Sequence, residues 1–255
     1  MEKRLEGKVA VVTGSSRGIG EGIARRLAAE GAAVVVSGRN AQEGSRVVTS
    51  IREAGGKAVW AVADVAKVED CRNLIQFAVG QFGQLDILVN NAAHMGDYDM
   101  ETMTPEQWDE VFAANARGTF LCSQAAIPHL RKRGGGSIVN IGTTMALRGS
   151  ADRIAYTCSK AAVLALTNTM ARVLAKDQIR VNWVIVGWVM SPREVEYRDR
   201  LVGDGRAYME KRSKEMPMGR METEEDIAAG VAFLVCDDAV HVSACHLNIS
   251  GGLFI

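Results

Sequence analysis

From Lys8 to Ile249 short apolar runs alternate with amphipathic stretches, and this alternation limits the fold more than any other feature. Lys8–Thr13 (KVAVVT), Ala33–Ser37, Lys57–Val62, Leu85–Asn90, Ser137–Ile141, Arg180–Val186 and Cys245–Ile249 read as buried strands. Between them, helical spacing of apolar residues runs over 19–30, 41–54, near 67–82, 105–132 and 155–176, and over 224–235. Ile19, Ile23, Ala24 and Leu27 share one face of the first helix, which Gly31 ends. Thr104-Pro105-Glu106-Gln107 starts a helix by combining a capping box with proline at the first helical position, and Thr223–Asp226 repeats the logic. Strand–helix alternation of this length requires a parallel sheet with helices on both faces, joined by right-handed crossovers. The class is α/β.

No Pro/Ser-rich linker, repeat or low-complexity tract interrupts the series, so one domain over 1–255 is expected. Only 187–221, rich in charge and methionine, has no clear place; it follows a strand's carboxyl end, where ligands bind in such sheets, and is expected to be a substrate lid. Thirty basic and thirty acidic side chains cancel, so no global field attracts nucleic acid or a membrane surface. Trp183–Met190, the longest apolar run, is too short to span a bilayer, and the start MEKRLEGKVAVVTG has no export-signal pattern. Five cysteines without CxxC spacing read as free thiols, and four scattered histidines suggest no metal site. A cytoplasmic location is expected.

Thr13–Gly20 (TGSSRGIG) joins the first strand to the first helix. Gly14 permits a tight turn, Gly18 lets backbone approach a pyrophosphate, and Gly20 allows close helix–strand packing. The helix N-terminus offers unpaired N–H groups to an anion. Dinucleotide binding on a doubly wound, Rossmann-type sheet is the expectation. Further on, YTCSK places Tyr156 and Lys160 four residues apart, on one face of a helix, with only small side chains between them.

These marks, with Ala63-Asp64-Val65, NNAA at 90–93, Asn115, Arg180-Val181-Asn182, Gly187 and the terminal Ser250-Gly251-Gly252, occur together in order. In this the chain resembles the short-chain dehydrogenase/reductase family over essentially its whole length, including its 3-oxoacyl reductases and sugar or alcohol dehydrogenases. The resemblance implies an oxidoreductase that transfers a hydride between a nicotinamide and a carbonyl or secondary alcohol, with a small-molecule substrate. It implies Tyr156 as general acid/base and Lys160 as the cation that lowers its pKa and binds the nicotinamide ribose. A unit charge about 4 Å from the phenol, at an effective dielectric of ~20, is worth roughly 4 kcal/mol, so Lys160 with an oxidised nicotinamide is expected to bring the Tyr156 pKa towards about 7, less a desolvation cost. Asn115 matches a relay asparagine that holds a water leading from the lysine, and Thr143 stands where serine is usual, with Thr144 as the alternative hydroxyl.

For the cofactor, the resemblance implies Gly14, Ser16, Arg17, Gly18, Ile19 and Gly20 beneath the phosphates. Asp64 and Val65 fall at the adenine, Asn91 and Ala92 with their neighbour Asn90 at the ribose, and Gly187, Val189 and Ser191 at the carboxamide. Two further departures are Ala93 for glycine and Val186 for proline. At the end of the second strand Gly38 replaces an acid and Arg39 follows, which favours NADP over NAD through a charge-assisted fork onto a 2′-phosphate. In the lid, Trp188, Met190, Tyr197, Tyr208, Met209, Met216 and Met218 are candidates for the substrate pocket or for core. The family resemblance also implies a homo-oligomer, with a tetramer favoured, built through 105–132, 155–176 and the last strand. The apolar end Leu253-Phe254-Ile255 is expected to be buried against the body or a neighbour. A halide-releasing lyase on the same scaffold and a non-catalytic nucleotide sensor are the competing readings.

Overall fold

The computed structural model describes residues 3–253, and its elements follow the strand–helix alternation. In chain order they are β1 (Val9–Val12), α1 (Gly18–Ala29), β2 (Ala33–Gly38), α2 (Ala41–Glu53), β3 (Lys57–Val62), α3 (Val68–Phe82), β4 (Ile87–Asn90), α4 (Pro105–Phe112), α5 (Gly118–Lys132), β5 (Gly136–Ile141), α6 (Met145–Arg148), α7 (Ile154–Leu174), β6 (Ile179–Ile185), α8 (Pro192–Val202), α9 (Gly205–Ser213), α10 (Glu224–Val235) and β7 (His246–Asn248). The strands form one sheet in the order β3-β2-β1-β4-β5-β6-β7. Every neighbouring pair is parallel. This is a doubly wound, Rossmann-type α/β domain whose strand order reverses between β1 and β4.

Alternate residues of each strand serve opposite layers, which is why the strands are apolar throughout instead of alternating with polar residues. Val12, Val36, Val89 and Val184 pack with Ile23 and Leu27 of α1, Val47 of α2 and Val231 of α10. Val11, Val35, Leu88 and Val181 pack with Leu74 and Ile75 of α3, Ala126 of α5 and Met170 of α7. Each such large side chain, removed from water, contributes about 1.5–3 kcal/mol. Between these two layers the carboxyl ends of the strands leave a crevice.

Both anticipated helix starts carry reciprocal capping boxes: Thr104 with Gln107, with Pro105 at the first position, and Thr223 with Asp226. Two stretches differ from the periodicity. The run 105–132 is not one α-helix, because a π-helical turn at Ala113–Arg117 separates α4 from α5. At that turn Arg117 donates to the carbonyl of Ala66 (3.1 Å), and a Cβ on Gly118 would lie 2.7 Å from the carbonyl of Val65. Anchored so closely to the segment after β3, the helix accommodates one extra residue in its turn. Within 187–221 the chain forms α8 and α9. Ser191 caps α8 ahead of Pro192, and Asp204 caps α9. The two helices bury only Gly205 and Met209, and Arg198 of α8 sits over the rings of Trp188 and of Tyr208 in α9.

No helix among the described residues is long and apolar enough to cross a membrane. Leu253 is half-buried and lines the crevice, whereas Phe254 and Ile255, expected to be buried, lie outside the described residues.

Candidate active site

A cleft of about 1040 Å³ runs along the carboxyl edge of the sheet, from Arg39 and Asp64 at one end to Tyr156 and Lys160 at the other. Its floor is the glycine loop locked to the end of β4. The Thr13 hydroxyl accepts N–H bonds from Asn91 and Ala92, both at 3.0 Å, and the Asn91 amide donates to the carbonyls of Thr13 (2.9 Å) and Gly14 (3.0 Å). Gly14 sits at φ +63°, and a Cβ there would come within 2.7 Å of Ala92 Cα, so only glycine lets the two segments touch. Arg17 starts α1 without any side-chain cap, which leaves the first N–H groups of the helix facing the cleft. Gly18, Ile19, Gly20, Ala92 and Ala93 also line it. Asn90 does not: its amide is buried beneath the floor, donating to Ser123 Oγ (3.0 Å) and Asn140 Oδ1 (2.8 Å).

At the far end Arg39 is exposed and lines the cleft beside Gly38, Asp64 and Val65, with no carboxylate in ion-pair reach among the described residues. Asp64 accepts the N–H of Ala66 (3.1 Å), which fixes the turn after β3. The Ser16 hydroxyl donates to Glu43 (3.1 Å), a carboxylate that the sequence pattern does not single out. Arg17 reaches across the cleft to Glu196 of α8 (3.5 Å).

Tyr156 and Lys160 lie one turn apart near the start of α7, both buried, with Lys160 Nζ 5.9 Å from the Tyr156 ring centre. Lys160 Nζ donates to the carbonyl of Ile141 (2.7 Å). Burial penalises the ammonium and brings its pKa down to about 8. Burial also dominates at Tyr156, which is pushed up to about 12, against the lowering effects of Arg153, Arg193 and the Thr143 hydroxyl. In the protein alone desolvation dominates the phenol, and the cations that bear most on it are two arginines; the expected depression by Lys160 together with an oxidised nicotinamide concerns the cofactor-bound state. Thr143 and Thr144 are both buried and both line the cleft, but it is Thr143 that interacts with the phenol, while Thr144 N–H is spent on the carbonyl of Val186 (2.9 Å).

Asn115 sits in the π-helical turn, fully buried and outside the cleft lining. Its amide oxygen accepts the N–H of His94 (2.7 Å), and its amide nitrogen donates to His94 O (2.9 Å) and Ser159 Oγ (2.9 Å). The side chain thus ties the segment after β4 to the Tyr156 helix. Three of its four bonding positions are used.

After β6 the chain turns at Gly187, where a Cβ would collide with the carboxylate of Glu222. That carboxylate accepts the N–H groups of Gly187 (2.7 Å) and Trp188 (3.2 Å), and Val189 bridges to Glu222 in the backbone. Burial raises the pKa of Glu222, partly offset by those two N–H donors. Ser191 lines the cleft and accepts the N–H of Glu194 (3.3 Å), so its own proton is left to donate.

The segment 187–221 is joined to this end through charges that the sequence pattern did not reveal. Arg153, three residues before Tyr156 and almost wholly buried, pairs with Asp97 (2.7 Å) and with Glu194 of α8 (3.4 Å). Glu194 also accepts from Trp188 Nε1 (3.0 Å) and pairs with Arg198 (2.8 Å). Arg153 and Arg198 sit over the Tyr197 ring at 4.8 and 5.0 Å, and Arg198 over Trp188 at 5.2 Å. Of the lid candidates, Trp188, Tyr197 and Met216 line the cleft, Met209 is core, and Met218 is exposed. The Tyr208 ring lies 6.5 Å from that of Trp188, tilted by 60°, and Met190 lies outside the cleft lining. Long-range pairing of this kind leaves no periodic trace in a sequence.

The model of the short chain dehydrogenase family matches residues 8–201. The chain is 38% identical to the short-chain reductase protein NovJ of Streptomyces niveus, over 96% of this chain and 93% of that protein. It is 34% identical to the 3-oxoacyl-[acyl-carrier-protein] reductase FabG of Staphylococcus aureus, over 97% of this chain and 98% of the relative. Among solved structures, that of levodione reductase superimposes with a TM-score of 0.92 at 28% identity, covering 97% of this chain and 98% of the other.

Proposed function

The chain belongs to the short-chain dehydrogenase/reductase family of oxidoreductases, and we propose that it transfers a hydride between NADP(H) and a carbonyl or secondary alcohol, with Tyr156 as general acid/base. One observation carries the reading: the buried Tyr156–Lys160–Thr143 group faces the end of the same cleft whose floor is the glycine loop.

The cleft fits a dinucleotide. Its phosphates would lie on Gly14, Ser16, Arg17, Gly18, Ile19 and Gly20, against the uncapped start of α1. Adenine would sit at Asp64 and Val65, the nicotinamide ribose at Asn91, Ala92, Tyr156 and Lys160, and the carboxamide at Gly187, Val189 and Ser191. The unpaired Arg39 beside Gly38 supports NADP through its 2′-phosphate. The bound nicotinamide supplies or takes up the hydride. The chain's own residues handle the proton. A phenol with a pKa of about 12 is protonated at neutral pH and so stands ready to donate to a carbonyl oxygen as its carbon is reduced. The Thr143 hydroxyl positions that oxygen, and the latched lid at 187–221 excludes water. Asn115 holds the Tyr156 helix in register through Ser159 and His94, and serves the lysine only indirectly.

Assembly into a homo-oligomer through α5 and α7 fits their exposed Phe120 and Val173, and a cytoplasmic setting fits the free cysteines. The deciding experiment titrates purified protein with NADPH and NADH, then measures turnover over a ketone panel. Equal affinity for the two cofactors sinks the NADP assignment. Tight binding with no turnover on any ketone favours a nucleotide sensor instead.

A further inference from the structure

Apart from Arg17, Arg39, Asp64 and Lys160, the cleft is lined by six arginines and four carboxylates. Two of these carboxylates are already engaged: Asp97 and Glu194 hold Arg153, and Glu194 also holds Arg198, while Glu196 outside the lining pairs with Arg17. Arg193 lines the cleft on the first turn of α8 and has neither an ion pair nor a hydrogen bond among the described residues. It is still open to solvent, so it is reachable from the cleft.

We infer that Arg193 receives an anionic group of the substrate, so that the carbonyl compound turned over at Tyr156 is an oxo acid or an oxo phosphate. The inference rests on the oxidoreductase reading above and adds the substrate class to it. Three observations converge. Arg193 acts electrostatically on the Tyr156 phenol, so an anion on its guanidinium lies near the oxygen that Tyr156 protonates. Partial burial holds its pKa below the usual arginine value, and Arg17 and Arg153 oppose its charge as well, with Asp97 offsetting them only in part. An unpaired guanidinium among like charges is unfavourable until an anion enters, and the fork geometry matches carboxylate and phosphate. Arg153 is a poorer candidate, because it is buried and its charge is already paired with Asp97 and Glu194.

The cofactor's own pyrophosphate is the other source of the same chemistry, since Arg17 neighbours Arg193. The test separates the two. Calorimetry on protein saturated with NADP⁺ measures dissociation constants for acetoacetate against methyl acetoacetate, 4-oxopentanoate against its methyl ester, and dihydroxyacetone phosphate against dihydroxyacetone. With the oxidised cofactor none of these ketones can react. The original protein should bind at least one anion about 10- to 150-fold more tightly than its neutral partner, the worth of a charge-assisted hydrogen bond. Arg193→Met should erase that ratio, leaving the neutral partner and NADP⁺ affinity within about 2-fold, and Arg193→Lys should keep part of it. The inference is overturned if no anion outcompetes its partner, or if the preference survives in Arg193→Met. It is equally overturned if Arg193→Met weakens NADP⁺ binding tenfold while acid and ester stay alike, which assigns the guanidinium to the pyrophosphate. Turnover of neutral ketones with no anion preference would remove this inference and leave the oxidoreductase reading standing. Failure to bind either cofactor would remove both.

Discussion

At the Arg39 end of the cleft the walls are the glycine loop, the uncapped first turn of α1, and the ends of β2, β3 and β4. At the Tyr156 end they are side chains gathered from the segment after β4, the end of β5, the start of α7 and the lid. The first end is built from short contiguous stretches and held by contacts that fix the main chain, such as those of the Thr13 hydroxyl with the N–H groups of Asn91 and Ala92. The second depends on buried charges whose partners are up to 56 residues away, as Arg153 is from Asp97. Side-chain changes at the first end should therefore alter binding and leave the chemical step alone, while the other end should respond sharply to single polar atoms.

The largest expected effect lies at the Tyr156 end. Thr143→Val keeps the shape and deletes the hydroxyl, and should slow the chemical step by about 10²–10³ without changing NADPH affinity. Thr143→Ser should stay within several-fold of the parent in single-turnover kinetics. If Thr144→Val is the damaging change instead, the catalytic hydroxyl is Thr144 and the Thr143 assignment falls.

Stability should reveal the same asymmetry. The Lys160 pKa is lowered from 10.5 to about 8 in the fold, so between those pH values the unfolded chain binds more protons and stability rises with pH. Relative to Lys160→Met, the parent should gain on the order of 3 kcal/mol, about 10²-fold in the unfolding equilibrium, between pH 7 and about 10.5. Urea titrations across that range check it, and parallel curves for the two proteins would mean that Lys160 is not desolvated.

At the adenosine end, Arg39→Ala should weaken NADPH and 2′,5′-ADP alike by about 10- to 150-fold, leave NADH unaffected, and preserve turnover at saturation. A loss of maximal rate would show that the two ends are not separable.

The smallest effect tests the seam between them. Glu222→Gln keeps the size but offers only one acceptor to the two N–H groups of Gly187 and Trp188. NADPH affinity should fall by a few-fold, roughly the worth of one hydrogen bond, with 2′,5′-ADP unchanged. Equal loss for both ligands would make Glu222 a general support of the fold.

The sequence by itself determined the parallel α/β class, the glycine loop, and the facing of Tyr156 and Lys160 on one helix, because each depends on residues within a turn or two of one another. The capping boxes at Thr104 and Thr223 were legible for the same reason. Tertiary structure alone decided the rest. The π-helical turn at Asn115 arises from the contact of Gly118 and Arg117 with the segment after β3, so 105–132 reads as uninterrupted helix until that contact is known. Helices α8 and α9 bury little apolar surface, and the arginine–aromatic contacts and ion pairs that join them to Trp188 and Arg153 were not readable from spacing. The charge state of Tyr156 was likewise unreadable. Spacing shows that Lys160 is near, but burial depends on every element packed around the phenol, and here it outweighs the neighbouring charge.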